Sequence, residues 1–140
     1  MPKRTANARW EGSLQDGNGT MRMASGAYEG PYSFQSRFEE GDGTNPEELI
    51  AAARAGCYSM AFSAELGGAG HEVQSVETNA NVHLDKIDDG FEISPIELAT
   101  TARVPGIEFQ QIAEGAKKGC PVSKALGGVA SIELKAELTQ

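Results

Sequence analysis

Two cysteines, Cys57 and Cys120, are the side chains of this 140-residue sequence best suited to covalent chemistry. A thiol reacts as its thiolate, so each context is judged by what would hold negative charge on sulfur. In "KKGCPVSKAL" Cys120 takes the N-cap position of a helix, with Pro121 at the first helical position. First-turn amides and the helix dipole favour a thiolate there, and Lys117, Lys118 and Lys124 add positive charge. Cys57 lies well inside "ELIAAARAGCYSMAFSAELGGAG", a run of small apolar residues where a free cysteine most simply fills core. Two arginines weigh against that bland role. Arg54 is at i−3 on the same helical face, and Arg37 lies on the segment just before the helix. Either guanidinium could lower the thiol pKa.

Other chemistries find less support. There is no CxxC spacing, so a thioredoxin-like motif is excluded. Neither His71 nor His83 has ligand spacing to a cysteine, and no metal or other cofactor is expected. "GSLQDGNG" and "GGAG" lack the lysine of a phosphate loop and read as a turn and a helix stop. Asp85, Asp88 and Asp89 cluster at a hairpin tip rather than as a catalytic pair. A net charge of −8 argues against a nucleic-acid surface. No apolar run is long enough to span a bilayer, and "MPKR" is not followed by the apolar core of a signal peptide. Two cysteines are too few for a secreted disulfide framework, so the expected compartment is the reducing cytoplasm.

The elements that must position these residues follow from patterning. The length, with 39% hydrophobic and 23% charged residues, fits a single globular domain over 1–140. "TANARWEGS", "GTMRMAS" and "PYSFQSRF" read as a three-stranded antiparallel meander with "DGNG" as its first hairpin turn and Arg37 on its third strand. "GTNPEEL" starts a long helix, with either Thr44 or Asn45 as N-cap, ending near Leu66. "VQSVETNANVHL" alternates as a strand carrying His83, "FEISPIELATTARV" as a long return strand that Pro95 confines to an edge or bulge. Ile107, Ile112 and Ala116 then follow helical spacing, "CPVSKAL" forms a short helix, and "VASIELKAEL" a half-buried last strand. The plan is α+β, with antiparallel sheets packed around a long helix. That helix is apolar nearly all round and asks for cover on more than one side, which a second subunit would supply.

With these elements in place, "RFEEGDGTNPEELIAAARAGCYSMAFS", "DKIDDGF" and "KKGCPVSKAL" together resemble the osmotically inducible protein C and organic hydroperoxide resistance family, on the OsmC side. The resemblance runs from "ARWEG" to the last strand, with Gly56 where alanine is common before the cysteine. It implies an intertwined homodimer and a thiol-dependent peroxidase acting on organic hydroperoxides, recycled by a dithiol such as a lipoylated protein. On matching positions it implies Cys57 as the attacking thiol, Cys120 as the resolving thiol, Arg37 as the arginine that stabilises the thiolate and Glu47 as the carboxylate that holds that arginine. Glu48 is the fallback for Glu47, and Arg54 is a rival to Arg37. Glu47 stands roughly 15 Å of helix axis before Cys57, too far for direct contact. Phe34, Tyr58, Met60 and Phe62 are candidate walls of an apolar substrate pocket. Local features make Cys120 the more acidic thiol, which suits a leaving group in recycling by thiol exchange. A non-catalytic dimeric binding module of the same fold, with inert buried cysteines, is the competing expectation.

Overall fold

The computed structural model describes residues 2–103, 109–126 and 132–139. The chain divides into two compact units, Met1–Leu49 and Ile50–Gln140.

In the first unit, β1 (Ala6–Glu11), β2 (Asn18–Met23) and β3 (Glu29–Tyr32) form the expected antiparallel meander, in the order β1-β2-β3. The first turn is not at "DGNG". Asn18 and Gly19 already pair with Glu11 and Trp10, and the chain reverses over residues 12–17, where Gly17 N–H donates to Ser13 C=O at 2.8 Å. The third strand also stops early. Residues Phe34–Phe38 form a short helix, α1, so Arg37 is helical rather than on a strand. The cause is a reciprocal cap: Ser36 N–H donates to Ser33 Oγ at 3.1 Å, and Ser33 N–H donates to Ser36 Oγ at 2.8 Å. Beyond α1 the chain folds back on β3. Thr44 N–H donates to Pro31 C=O at 3.0 Å, and Ser36 Oγ–H donates to Thr44 C=O at 2.7 Å. Gly43 makes this return possible. Its φ is 106°, and a Cβ there would lie 2.6 Å from the Pro31 oxygen.

The long helix, α2, runs Pro46–Gly68. Glu48 N–H donates to Asn45 Oδ1 at 2.8 Å, so Asn45 is the N-cap and Pro46 opens the helix. The helix ends as the sequence suggests, with His71 N–H donating to Leu66 C=O at 3.0 Å and Gly70 at a φ of 89°.

In the second unit, β4 (Ser75–Asn81), β7 (Ile96–Arg103) and β8 (Ile132–Thr139) form one sheet in the order β4-β7-β8. β5 (Leu84–Ile87) and β6 (Gly90–Ile93) form a separate antiparallel ribbon. The expected long return strand is therefore two strands in two sheets. Pro95 has no N–H to offer the ladder, and the break falls there. His83 lies just outside β4, where its exposed ring Nε2 shares a hydrogen bond of 3.0 Å with Glu97 Oε1. β7 pairs antiparallel with β4 but parallel with β8. A parallel pair needs a crossover, and the helices α3 (Phe109–Gly119) and α4 (Pro121–Ala125) lie between those strands in sequence. Ile107 and residues 129–131 of the sequence reading fall outside the described residues.

The core of this unit follows period four on α2 and period two on the sheet. Tyr58, Phe62 and Leu66 from α2 meet Leu98 and Ala102 of β7 and Ala113 and Ala116 of α3, all buried. Val76, Ala80, Leu134, Ala136 and Leu138 complete it from the sheet. Hydroxyls inside this packing are satisfied in a chain. Ser59 Oγ–H donates to Thr78 Oγ1 at 2.8 Å, Thr78 and Thr100 share a bond of 3.0 Å, and Thr100 Oγ1–H donates to Glu77 C=O at 3.2 Å.

Candidate active site

Two sets of side chains stand out, one in each unit. In the first, the turn of α1 presents Arg37 to the start of α2. Arg37 Nε–H is shared between both Glu47 carboxylate oxygens at 3.1 and 3.3 Å, and an Nη2–H donates to Oε1 at 2.8 Å. The Glu47 side chain is 9% exposed and that of Arg37 38%. The guanidinium also lies over the Phe38 ring, 5.2 Å from its centroid. Glu48 instead accepts from Thr44 Oγ1–H at 2.7 Å, so the partner of the arginine is Glu47. Arg37 borders an apolar cleft of about 230 Å³ with Trp10, Leu14, Tyr32, Ser33, Phe34 and Phe38. Phe34 thus lines a cleft; its aromatic neighbours Trp10 and Tyr32, 5.4 Å apart, were not singled out from sequence. Their place facing across β1 to β3 depends on register, which the residues alone do not reveal.

In the second set, α2 carries Cys57 and the junction of α3 with α4 carries Cys120. Both are free thiols, and each bears on the other's ionisation. Cys120 is wholly enclosed, while Cys57 keeps part of its surface. Cys120 is the N-cap of α4, with φ −67° and Pro121 next, as the sequence suggests. Its thiol closes no well-formed capping bond. Burial pushes the Cys120 thiol up, but the neighbouring Cys57 and the backbone amides of Ser123 and Val122 outweigh it, leaving Cys120 below the ordinary thiol range. Burial also pushes Cys57 up, reinforced by the neighbouring Cys120, while the Val122 amide and Arg54 pull it down; the balance is upward. Thiols that act on each other's ionisation titrate as a pair rather than one by one.

The remaining pocket candidates separate. Tyr58 and Phe62 are fully buried members of the core. Tyr58 O–H donates to Ala113 C=O at 2.9 Å, and burial pushes its phenol well above the ordinary range. Met60 faces outward and is 77% exposed. An all-round apolar helix gives no sequence signal for which face turns inward, which is why these three could not be told apart.

The OsmC-like protein family matches residues 39–135 of the chain. The chain is 48% identical over 136 residues to peroxiredoxin OsmC of Escherichia coli (strain K12), which covers 94% of this chain and 90% of that protein. This chain belongs to the OsmC-like family. Its OsmC-like sequence also matches the organic hydroperoxide resistance protein OhrB of Bacillus subtilis (strain 168), at 32% identity over 69% of this chain and 70% of that one. The OsmC-like fold agrees. The crystal structure of the Bacillus subtilis OhrB superposes with a TM-score of 0.72 and 25% identity, covering 96% of this chain and 98% of that one. An organic hydroperoxide resistance protein from Elizabethkingia anophelis gives 0.72 and 26%, over 97% and 96%. The resemblance read from "TNPEEL" and "GCPVS" is thereby shown for the family.

Proposed function

We propose that this OsmC-like chain is a thiol-dependent peroxidase that reduces organic hydroperoxides to alcohols. The contact between one accessible and one buried thiol carries the reading. Cys57 keeps some surface that a peroxide would use, and the enclosed Cys120 beside it is the thiol that would resolve what forms. The Cys57 thiolate attacks the peroxide; the O–O bond breaks, and the alkoxide takes a proton and leaves as the alcohol. Cys57 becomes a sulfenic acid. Condensation with the Cys120 thiol forms the disulfide and expels water. A dithiol, of the kind a lipoylated protein carries, returns two electrons and two protons by exchange. The depressed pKa of Cys120 makes it the better leaving group in that exchange. No metal or other cofactor is required by these steps.

The relatives support this chemistry by name, as a peroxiredoxin and organic hydroperoxide resistance proteins. The resemblance gives Arg37 the stabilising of a thiolate and Glu47 the holding of that arginine, and the bidentate pair supports the second role. An organic hydroperoxide, as the resemblance implies, presents an alkyl or aryl group that apolar contacts would hold. The reading takes 1–140 as one domain, since the Escherichia coli relative matches across both units. It places the protein in the reducing cytoplasm, where free thiols persist. The inert-module alternative fits Cys120, which is enclosed, but less well Cys57, which keeps some exposed surface.

The test is peroxide-driven oxidation of dihydrolipoamide. Cumene hydroperoxide is expected to give a kcat/KM about tenfold or more above hydrogen peroxide, the scale of discrimination that apolar contacts provide. Absence of dithiol oxidation with either peroxide overturns the reading.

The proposal includes a homodimer. Ala52, Ala53, Gly56, Met60 and Ala64 form an exposed apolar stripe on α2, the face expected to need a partner. Met60→Glu is expected to shift the protein from dimer to monomer in sedimentation while its helical circular dichroism stays unchanged. A wild-type monomer, or a variant that still dimerises fully, counts against this interface.

A further inference from the structure

Arg54 is fully buried and heads the α2 stripe Arg54, Tyr58, Phe62 and Leu66. Hydrophobic patterning calls for an aliphatic residue at that position. None of its three guanidinium nitrogens has a hydrogen-bond partner among the described residues. The guanidinium lies over the Tyr58 ring, 5.9 Å from its centroid, and the Tyr58 hydroxyl is already committed to Ala113. The acidic side chain that acts on Tyr58 is Glu114, which is ion-paired with Lys117 at 3.3 Å. A buried cation without a partner costs stability and is retained where an anion forms beside it. Such an anion source stands three residues along the same helix, where side chains at i and i+3 are neighbours: Cys57, in contact with Cys120.

We infer that Arg54 is a positioning residue that draws the negative charge of the thiol pair onto Cys57. The pair loses one proton to solvent on the exposed side of Cys57. Cys120 keeps its proton, and the Cys57 thiolate balances the charge of the guanidinium. This resolves a conflict within the site, since local forces at α4 favour Cys120 as the thiolate although Cys57 is the thiol a peroxide can reach. The groups that bear on Cys57 are Arg54 from α2 and Cys120 with the Val122 amide at the start of α4; Arg54 also acts on Tyr58, as does Glu114 of α3, which is paired with Lys117.

The inference takes its purpose from the peroxidase reading, but its test uses no peroxide. In a Cys120→Ser background, the rate of Cys57 alkylation by iodoacetamide is followed against pH for Arg54, Arg54→Lys, Arg54→Gln and Arg54→Met. Loss of the charge is expected to move the ionisation midpoint up by about one unit and slow alkylation near neutrality about tenfold. Lysine is expected to restore most of the shift. The methionine variant is expected to melt no lower than its parent, because it removes an unpaired buried charge. An unchanged midpoint in the glutamine or methionine variant overturns the inference. A parent that fails to turn over peroxide would sink the proposed function and leave this titration readable.

Discussion

Cys57→Ser is expected to abolish hydroperoxide turnover, with a loss of about 10³-fold or more in kcat/KM, as for removal of a covalent nucleophile. A serine hydroxyl at this site has neither the acidity nor the soft nucleophilicity to open an O–O bond. Cys120→Ser has a different signature. Its Cys57 still meets the peroxide, so one equivalent of alcohol is released, after which the sulfenic acid has no neighbour to condense with. Turnover then falls, and excess peroxide drives Cys57 to the sulfinic acid. The asymmetry follows from geometry, since Cys57 keeps exposed surface and Cys120 has none. Quenched assays of alcohol released per subunit separate the two variants. Full turnover by Cys57→Ser, or no alcohol at all from Cys120→Ser, would exchange or remove these roles.

Phe62→Ala is expected to cost about 3–5 kcal/mol, the range for emptying a fully buried aromatic site. For a chain of this size that lowers the melting temperature by about 10–20 °C. Phe62 is central to the contact of α2 with the β4-β7-β8 sheet, and its ring lies 5.8 Å from that of Tyr58. The same helix carries Cys57 five residues earlier. A loosened helix therefore also disturbs the contact with Cys120, and disulfide formation slows along with the loss of stability. Ile87→Ala, at a position 42% exposed on the β5–β6 ribbon, is the control and is expected to cost less than about 1 kcal/mol. Urea unfolding of both variants measures the difference. Equal costs would show that α2 is not anchored through its buried stripe.

Local chemistry in the sequence carries much of this fold. Asn45 and Pro46 start α2 and the glycines after Leu66 end it, because capping depends only on neighbouring residues. β4 and β7 show alternation that survives in the structure, with Ile96, Leu98 and Ala102 buried on one face of β7. The two cysteine contexts are equally readable, since Pro121 sets the N-cap of α4 in any fold. What lies beyond the sequence depends on distant partners. Residues 33–38 alternate well enough for a strand, and only the reciprocal Ser33–Ser36 cap decides for a helix. The parallel pairing of β7 with β8 depends on how the chain crosses between them. Tyr58 and Phe62 become core, and Met60 surface, only once the sheet has chosen a face of α2. Arg54 is visible in sequence as a neighbour of Cys57, but its burial without a hydrogen-bond partner among the described residues is not.

The central claim is that Cys57 and Cys120 form one redox unit. Intact-mass spectrometry of the reduced protein after one equivalent of cumene hydroperoxide tests it most directly. The expected result is a loss of two hydrogen atoms per chain, with a peptide map that joins Cys57 to Cys120. An unchanged mass, or stable oxygen addition at Cys57 without that cross-link, would contradict it.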